Sequence, residues 1–185
     1  MTRRLLTLAA ITLAALAILS AERFAPSPAR ADTPPAVKKV RIGVYDPRAI
    51  ALAYGRSPMF SRKLAEKKKE MDDAQLAKDQ HKIDELKAWG PDQQIKLHFQ
   101  VFAGTAVDDI LAQVQDQLPQ VAAANDVQSI GPRPDYTGTY VEIVDVTADL
   151  VNLWHPDAKT LEMISGIEKT PPVSLADVAK MGANQ

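Results

Sequence analysis

The segment Arg62–Trp89, RKLAEKKKEMDDAQLAKDQHKIDELKAW, contains neither Gly nor Pro and little β-branched content. Lys, Glu, Asp, Gln, Ala and Leu dominate it, and most of these are strong helix formers. Such a stretch commits the chain to a long helix. Gly90-Pro91 follows and predicts the stop, because proline disfavours α geometry in the residue before it. A second helix is predicted over about 92–125, where Val107, Ile110, Leu111, Val114, Leu118 and Val121 recur at spacings of three and four. Two helices joined by Gly-Pro predict a long antiparallel helical hairpin over about 57–125. Each arm would reach roughly 50 Å at the α-helical rise.

Apolar residues are sparse on the outbound arm: Leu64, Met71, Leu76, Ile83 and Leu86, amid many charges. The seam is that of an irregular coiled coil. The block Glu66–Glu70 reads as a solvated helix face with ion pairs one turn apart. Past the turn, Ile95, Leu97, Phe99, Val101 and Phe102 form a dense apolar group. It either closes the tip against Ile83, Leu86 and Trp89 or leaves an apolar tip for polypeptide or lipid. Candidate contacts for such a partner are Leu76, Ile83, Leu86, Trp89, Phe99 and Phe102.

The N-terminus carries Arg3 and Arg4 before the uncharged, apolar stretch Leu5–Leu19. This is the pattern of a secretory signal; a membrane span needs about 20 residues. The segment 1–31 is expected to be removed, a retained anchor being the alternative. Residues 32–39 read as a disordered leader. The chain has no Cys, so disulfides and thiol chemistry are excluded. Net charge is −1, with the acidic excess concentrated in 105–185. No strongly basic domain is present, which argues against a nucleic-acid partner.

Val40–Tyr45 and Tyr140–Val144 alternate and are rich in strand formers, and Val127–Ile130 suits a short strand between them. They predict a small β base, with Ile42, Val44, Val141 and Ile143 as candidates for an oligomer interface. Asp46-Pro47 suits the start of a short helix, with Ile50 and Ala53 or Tyr54 facing inward. Ser57 and Ser61 are both candidate caps for the long helix. Residues 154–185 read as a peripheral tail. The fold class expected is therefore α+β, a helical hairpin on a strand-bearing base.

Catalytic signatures are missing. His81, His98 and His155 lack ligand spacing, and no nucleophile elbow, P-loop or dinucleotide fingerprint occurs. Asp46 and Asp145 each follow a strand, where carboxylates can hold Mg²⁺; helix or turn capping is the simpler role. No catalytic residue, metal or cofactor is expected.

The order signal, strand, short helix, helical hairpin, strand, loop, strand, short helix resembles the Skp/OmpH family of periplasmic chaperones. The residues that carry the likeness are Val40–Tyr45 with Asp46 and Ala49, the lead-in Ser57–Ala65, and Val141–Leu150 (VEIVDVTADL). The resemblance spans about 40–153. It implies a periplasmic homotrimer whose β body carries helical tentacles around a cavity for unfolded outer-membrane proteins. It also implies a non-enzymatic holdase with unfolded exported proteins as partners and weak contact with the membrane surface. Family members are typically basic, whereas this chain is acidic beyond residue 31. An envelope scaffold or adaptor without chaperone action is the alternative.

Intact-mass analysis of the envelope-resident protein should find a first residue between Ala21 and Asp32. Retention of Met1–Leu19 would contradict cleavage and favour an anchored scaffold.

Overall fold

Val40–Tyr45 forms the strand β1, and the chain returns to it twice. In the computed structural model, which describes residues 38–183, β2 (Ser129–Pro132) and β3 (Val141–Asp145) flank it in the order β2-β1-β3. Both pairings are parallel. A parallel neighbour requires a crossover that brings the chain back to the same end of the sheet. The crossover from β1 to β2 contains the whole helical arm. The expected signal segment and most of the expected leader, residues 1–37, lie outside the described residues. Within the described residues the class is mixed α+β, with eight α-helices and this three-stranded sheet.

Helix α1 (Pro47–Gly55) starts where expected: the Asp46 carboxylate accepts from the Arg48 N–H, and Pro47 occupies the first turn. It differs in burial. Every residue from Arg48 to Tyr54 is buried, with no solvent face. Ser57 caps α2 (Pro58–Ala77), its hydroxyl oxygen accepting from the Phe60 N–H, whereas the Ser61 hydroxyl donates to the Ser57 carbonyl.

The arms are shorter than expected and turn elsewhere. α2 has 20 residues and α3 (Gln80–His98) has 19, so each is about 30 Å long. The chain reverses at Lys78, in the left-handed region at φ 57°, and Asp79 caps α3 by accepting from the Lys82 N–H. The Lys63 and Lys67 ammonium groups sit 5.9 and 6.0 Å from the Trp89 ring centre. Lys82 lies 3.9 Å from Glu70. These pairs define an antiparallel arrangement folded at 78–79. The expected stop at Gly90-Pro91 is corrected: Pro91 lies inside α3. Proline forbids the α region chiefly through the Cβ and N–H of the residue before it; with glycine there, the Cβ clash is absent.

A π-type turn, Phe99–Ala103, extends α3, and Gly104 at φ 70° ends it. The helix expected over 92–125 is thus broken into that end of α3, α4 (Asp108–Leu111) with a 3₁₀ turn to Val114, and α5 (Leu118–Ala124). Its periodicity still marked the core, since Val107, Ile110, Leu111, Val114 and Val121 are buried.

After β3 come α6 (Thr147–Asn152), α7 (Ala158–Glu168) and α8 (Leu175–Ala183). The segment after Trp154, expected as a peripheral tail, enters the core. Trp154 is 2% exposed, Ile164 5% and Val178 1%. Trp154 meets Tyr54 edge to face at 6.5 Å. Arg56 Nε donates to the Thr160 hydroxyl oxygen at 3.0 Å, and the Val173 N–H donates to the Phe102 carbonyl at 2.8 Å.

Ile164→Ala should lower stability by about 2–5 kcal/mol, as large-to-small changes in a packed core do. Denaturant unfolding checks this. A change within about 0.5 kcal/mol, as at surface positions, would return the segment to the periphery.

Candidate functional site

A concavity opens at the carboxyl ends of the strands, where β1 delivers Asp46, β2 delivers Arg133 and β3 delivers Asp145. It encloses about 630 Å³, and Arg48, Thr147 and Glu168 complete its polar lining. Parallel pairing explains the convergence, because all three strands end on the same side. The Asp46 N–H donates to the Thr147 hydroxyl oxygen at 3.0 Å, tying the ends of β1 and β3 together. Asp145 Oδ1 accepts from the Thr147 N–H at 2.9 Å.

Arg48 is the buried charge of this site. Its Nε donates to both Asp46 oxygens at 3.1 and 3.2 Å, and its Nη2 donates to Oδ2 at 2.7 Å. Its Nη1 donates to the Thr170 carbonyl at 2.7 Å, reaching the connection between α7 and α8. A planar guanidinium suits this geometry, since it presents several donors to a carboxylate in one plane. Asp46 and Asp145 do converge, but both Asp46 oxygens are engaged by Arg48, and each Asp accepts from an N–H in the turn that follows its strand. Among the described residues, no group of three or more His, Asp or Glu is placed to hold a metal ion.

Glu168 approaches the same cleft from the end of α7. Partial desolvation pushes its carboxyl pKa up, and Asp46 and Asp145 push it further, against the pull of Arg48 and Lys169. Burial likewise raises the Tyr45 phenol, with Asp108 adding to it. Arg48, Arg133, Thr147, Glu168 and Thr170 were not singled out from sequence. The readable signal was two strands each ending in Asp; the other members come from turns and helix ends far apart in the chain.

The four base candidates are brought together. Ile42 pairs with Ile143, Val40 with Val141, and Val44 with Asp145, so Ile42, Val44, Val141 and Ile143 share one face of the sheet. The opposite face turns to the core: a Cβ at Gly43 would meet Val127, Val146 and Ile130, and Tyr45, Ile130 and Val144 pack into the core cluster. On the candidates' own face Val44 is buried, Ile42, Val141 and Ile143 are half-buried, and Val40 and neighbouring Tyr140 are exposed.

The six contact candidates are separated. Leu76 is at the arm's tip and 84% exposed, whereas Leu86 is buried with Ala74 between the arms. Ile83 and Trp89 are half-buried along α3. Phe99 and Phe102 are corrected in position: the π-type turn puts them at the root of the arm beside α1, because the chain reverses at Lys78-Asp79, twelve residues before Gly90-Pro91. Phe102 stacks edge to face with His98 at 5.7 Å. No protein-family model, curated protein or solved structure matches this chain.

Arg48→Ala should destabilise the protein by about 3–5 kcal/mol, since it leaves a partly buried carboxylate uncompensated. Arg48→Lys should recover only part of this, having no fork for two oxygens. Equilibrium denaturation reads both, and a neutral Arg48→Ala would mean the pair is ornamental. For Glu168 the raised pKa means the fold favours the protonated carboxyl. Its contribution is therefore present below the ordinary glutamate value and is lost as pH rises through the folded pKa. Glu168→Gln should remove this step from a stability–pH profile taken through the mildly acidic range, and an unaltered profile would contradict the assignment.

Proposed function

We propose that this chain is an exported, self-associating holdase-like protein of the periplasm, with unfolded exported or outer-membrane proteins as its clients. The observation that carries the reading is the sheet. Parallel sheets are normally covered on both faces, yet here the core covers one face while Ile42, Val141 and Ile143 keep exposure on the other. Three copies joined through these bases would cover that surface, in the homotrimer that the resemblance to the Skp/OmpH family implies. The outer edge of β3 adds an unpaired row of backbone groups among the described residues, which calls for protection in the same way.

The arms supply the client surface in this reading. α2 and α3 bury little between them, chiefly Ala74 and Leu86, and leave Leu64, Leu76 and Ile95 exposed. A helix pair with so thin a buried stripe gains from a further apolar partner. Ion pairs such as Lys67–Glu70 and Lys82–Glu85 keep the same arms soluble. The scaffold reading draws on a different fact: the dense apolar group Ile95–Phe102 lies at the root, so the tip offers Leu76 among Lys78, Asp79 and Gln80.

Suppression of aggregation separates the two. The protein should keep several unrelated unfolded membrane proteins soluble at near-stoichiometric amounts. Ile143→Asp, which buries an unpaired charge in the assembled base, should abolish that protection while the isolated chain stays folded by circular dichroism. No protection of any unfolded protein by the wild type would leave the scaffold.

A further inference from the structure

The cleft at the strand ends is unused by either reading, and its chemistry is specific. It lies where the chain leaves β1 for β2 on one side and later returns to β3 on the other. In open parallel sheets, ligands bind outside the carboxyl ends of the strands at such a switch point. Its volume of about 630 Å³ is that of a small-molecule site.

The ionic groups of the cleft fall into two sets. Asp46 and Arg48 satisfy one another and form a floor without net charge. The remaining three are uncommitted. Asp145 spends Oδ1 on the Thr147 N–H, and its Oδ2 has no hydrogen-bond partner among the described residues. Glu168 and Arg133 line the same cavity, and neither side chain forms a hydrogen bond or ion pair with a described residue. Two carboxylates and one guanidinium thus face the same space without neutralising one another. A purely anionic ligand would meet Asp145 and Glu168; a purely cationic one would meet Arg133.

We propose that this cleft binds a small zwitterion of the α-amino acid class, its carboxylate on Arg133 and its ammonium between Asp145 and Glu168. Guanidinium and carboxylate match geometrically in a two-point contact. An ammonium beside Glu168 compensates the desolvation and the repulsion from Asp46 and Asp145 that burden that carboxyl in the free protein. The walls, including Val44, Ala103 and Pro172, admit an apolar or small side chain.

Isothermal titration calorimetry of the purified protein against the common α-amino acids tests this. For the tightest binder, the amine lacking the carboxylate and the acid lacking the amine are titrated in parallel. The expected result is saturable one-site binding of at least one amino acid, with both single-charge analogues weaker by about tenfold or more, the usual effect of losing a charged hydrogen-bond partner. Arg133→Ala and Glu168→Gln should each weaken the amino acid by a similar factor with circular dichroism unchanged. The proposal is overturned if no amino acid binds saturably, if an analogue lacking either charge binds equally well, or if both variants retain wild-type affinity. Assembly and aggregation suppression do not enter this measurement, so its failure leaves the chaperone reading intact.

Discussion

Helix α1 offers solvent no face, and the rest of the chain is arranged to enclose it. A helix buried on all sides must be surrounded by elements from elsewhere. Here the enclosing pieces are the π-type turn after α3, together with α6 and α7. Their residues lie between about 50 and 115 positions downstream, so the core closes only when the last third of the chain arrives. The one charge that α1 carries inward, Arg48, is compatible with this because Asp46 and the Thr170 carbonyl receive its donors. The same contact anchors the connection between α7 and α8 at the mouth of the cleft. Core, cleft and C-terminal helices are in this way consequences of one buried helix.

Much of the local structure was legible in the residues. The alternation of Val40–Tyr45, the Asp46-Pro47 start, the Ser57 cap and the apolar spacing through Val121 each follow from short-range chemistry. What failed did so for identifiable reasons. Gly90-Pro91 looked like a turn because proline usually ends helices, yet glycine before it removes the principal clash. The true reversal uses Lys78 in a left-handed conformation, a position sequence gives no reason to expect, and its stability comes from the Asp79 cap and the contacts on either side. Ile164 and Val178 sit in a stretch containing several prolines and looked peripheral, but their burial is decided by α1 and the π-type turn, which no local pattern encodes. The cleft was visible only as two strands ending in Asp; Arg48, Arg133 and Glu168 join it through parallel pairing and the return of α7.

The displaced turn changes how a functional reading must be built. With the reversal at 78–79, the apolar residues 95–102 support the root of the arm and the tip is largely polar. Client contact then depends on the flanks of the arms, where Leu64, Leu76 and Ile95 remain open. In the base, four apolar positions from two distant strands fall in register on one face, where Val44 is buried within the chain and Ile42, Val141 and Ile143 keep exposure. That face, more than the arms, supports reading the chain as a subunit.

The most direct test is the native mass of the mature protein, measured by native mass spectrometry and sedimentation at micromolar concentration. The account predicts a stable complex of three chains. A single chain at every concentration examined would contradict it, and would leave the half-exposed face of the sheet without the partner on which the functional reading depends.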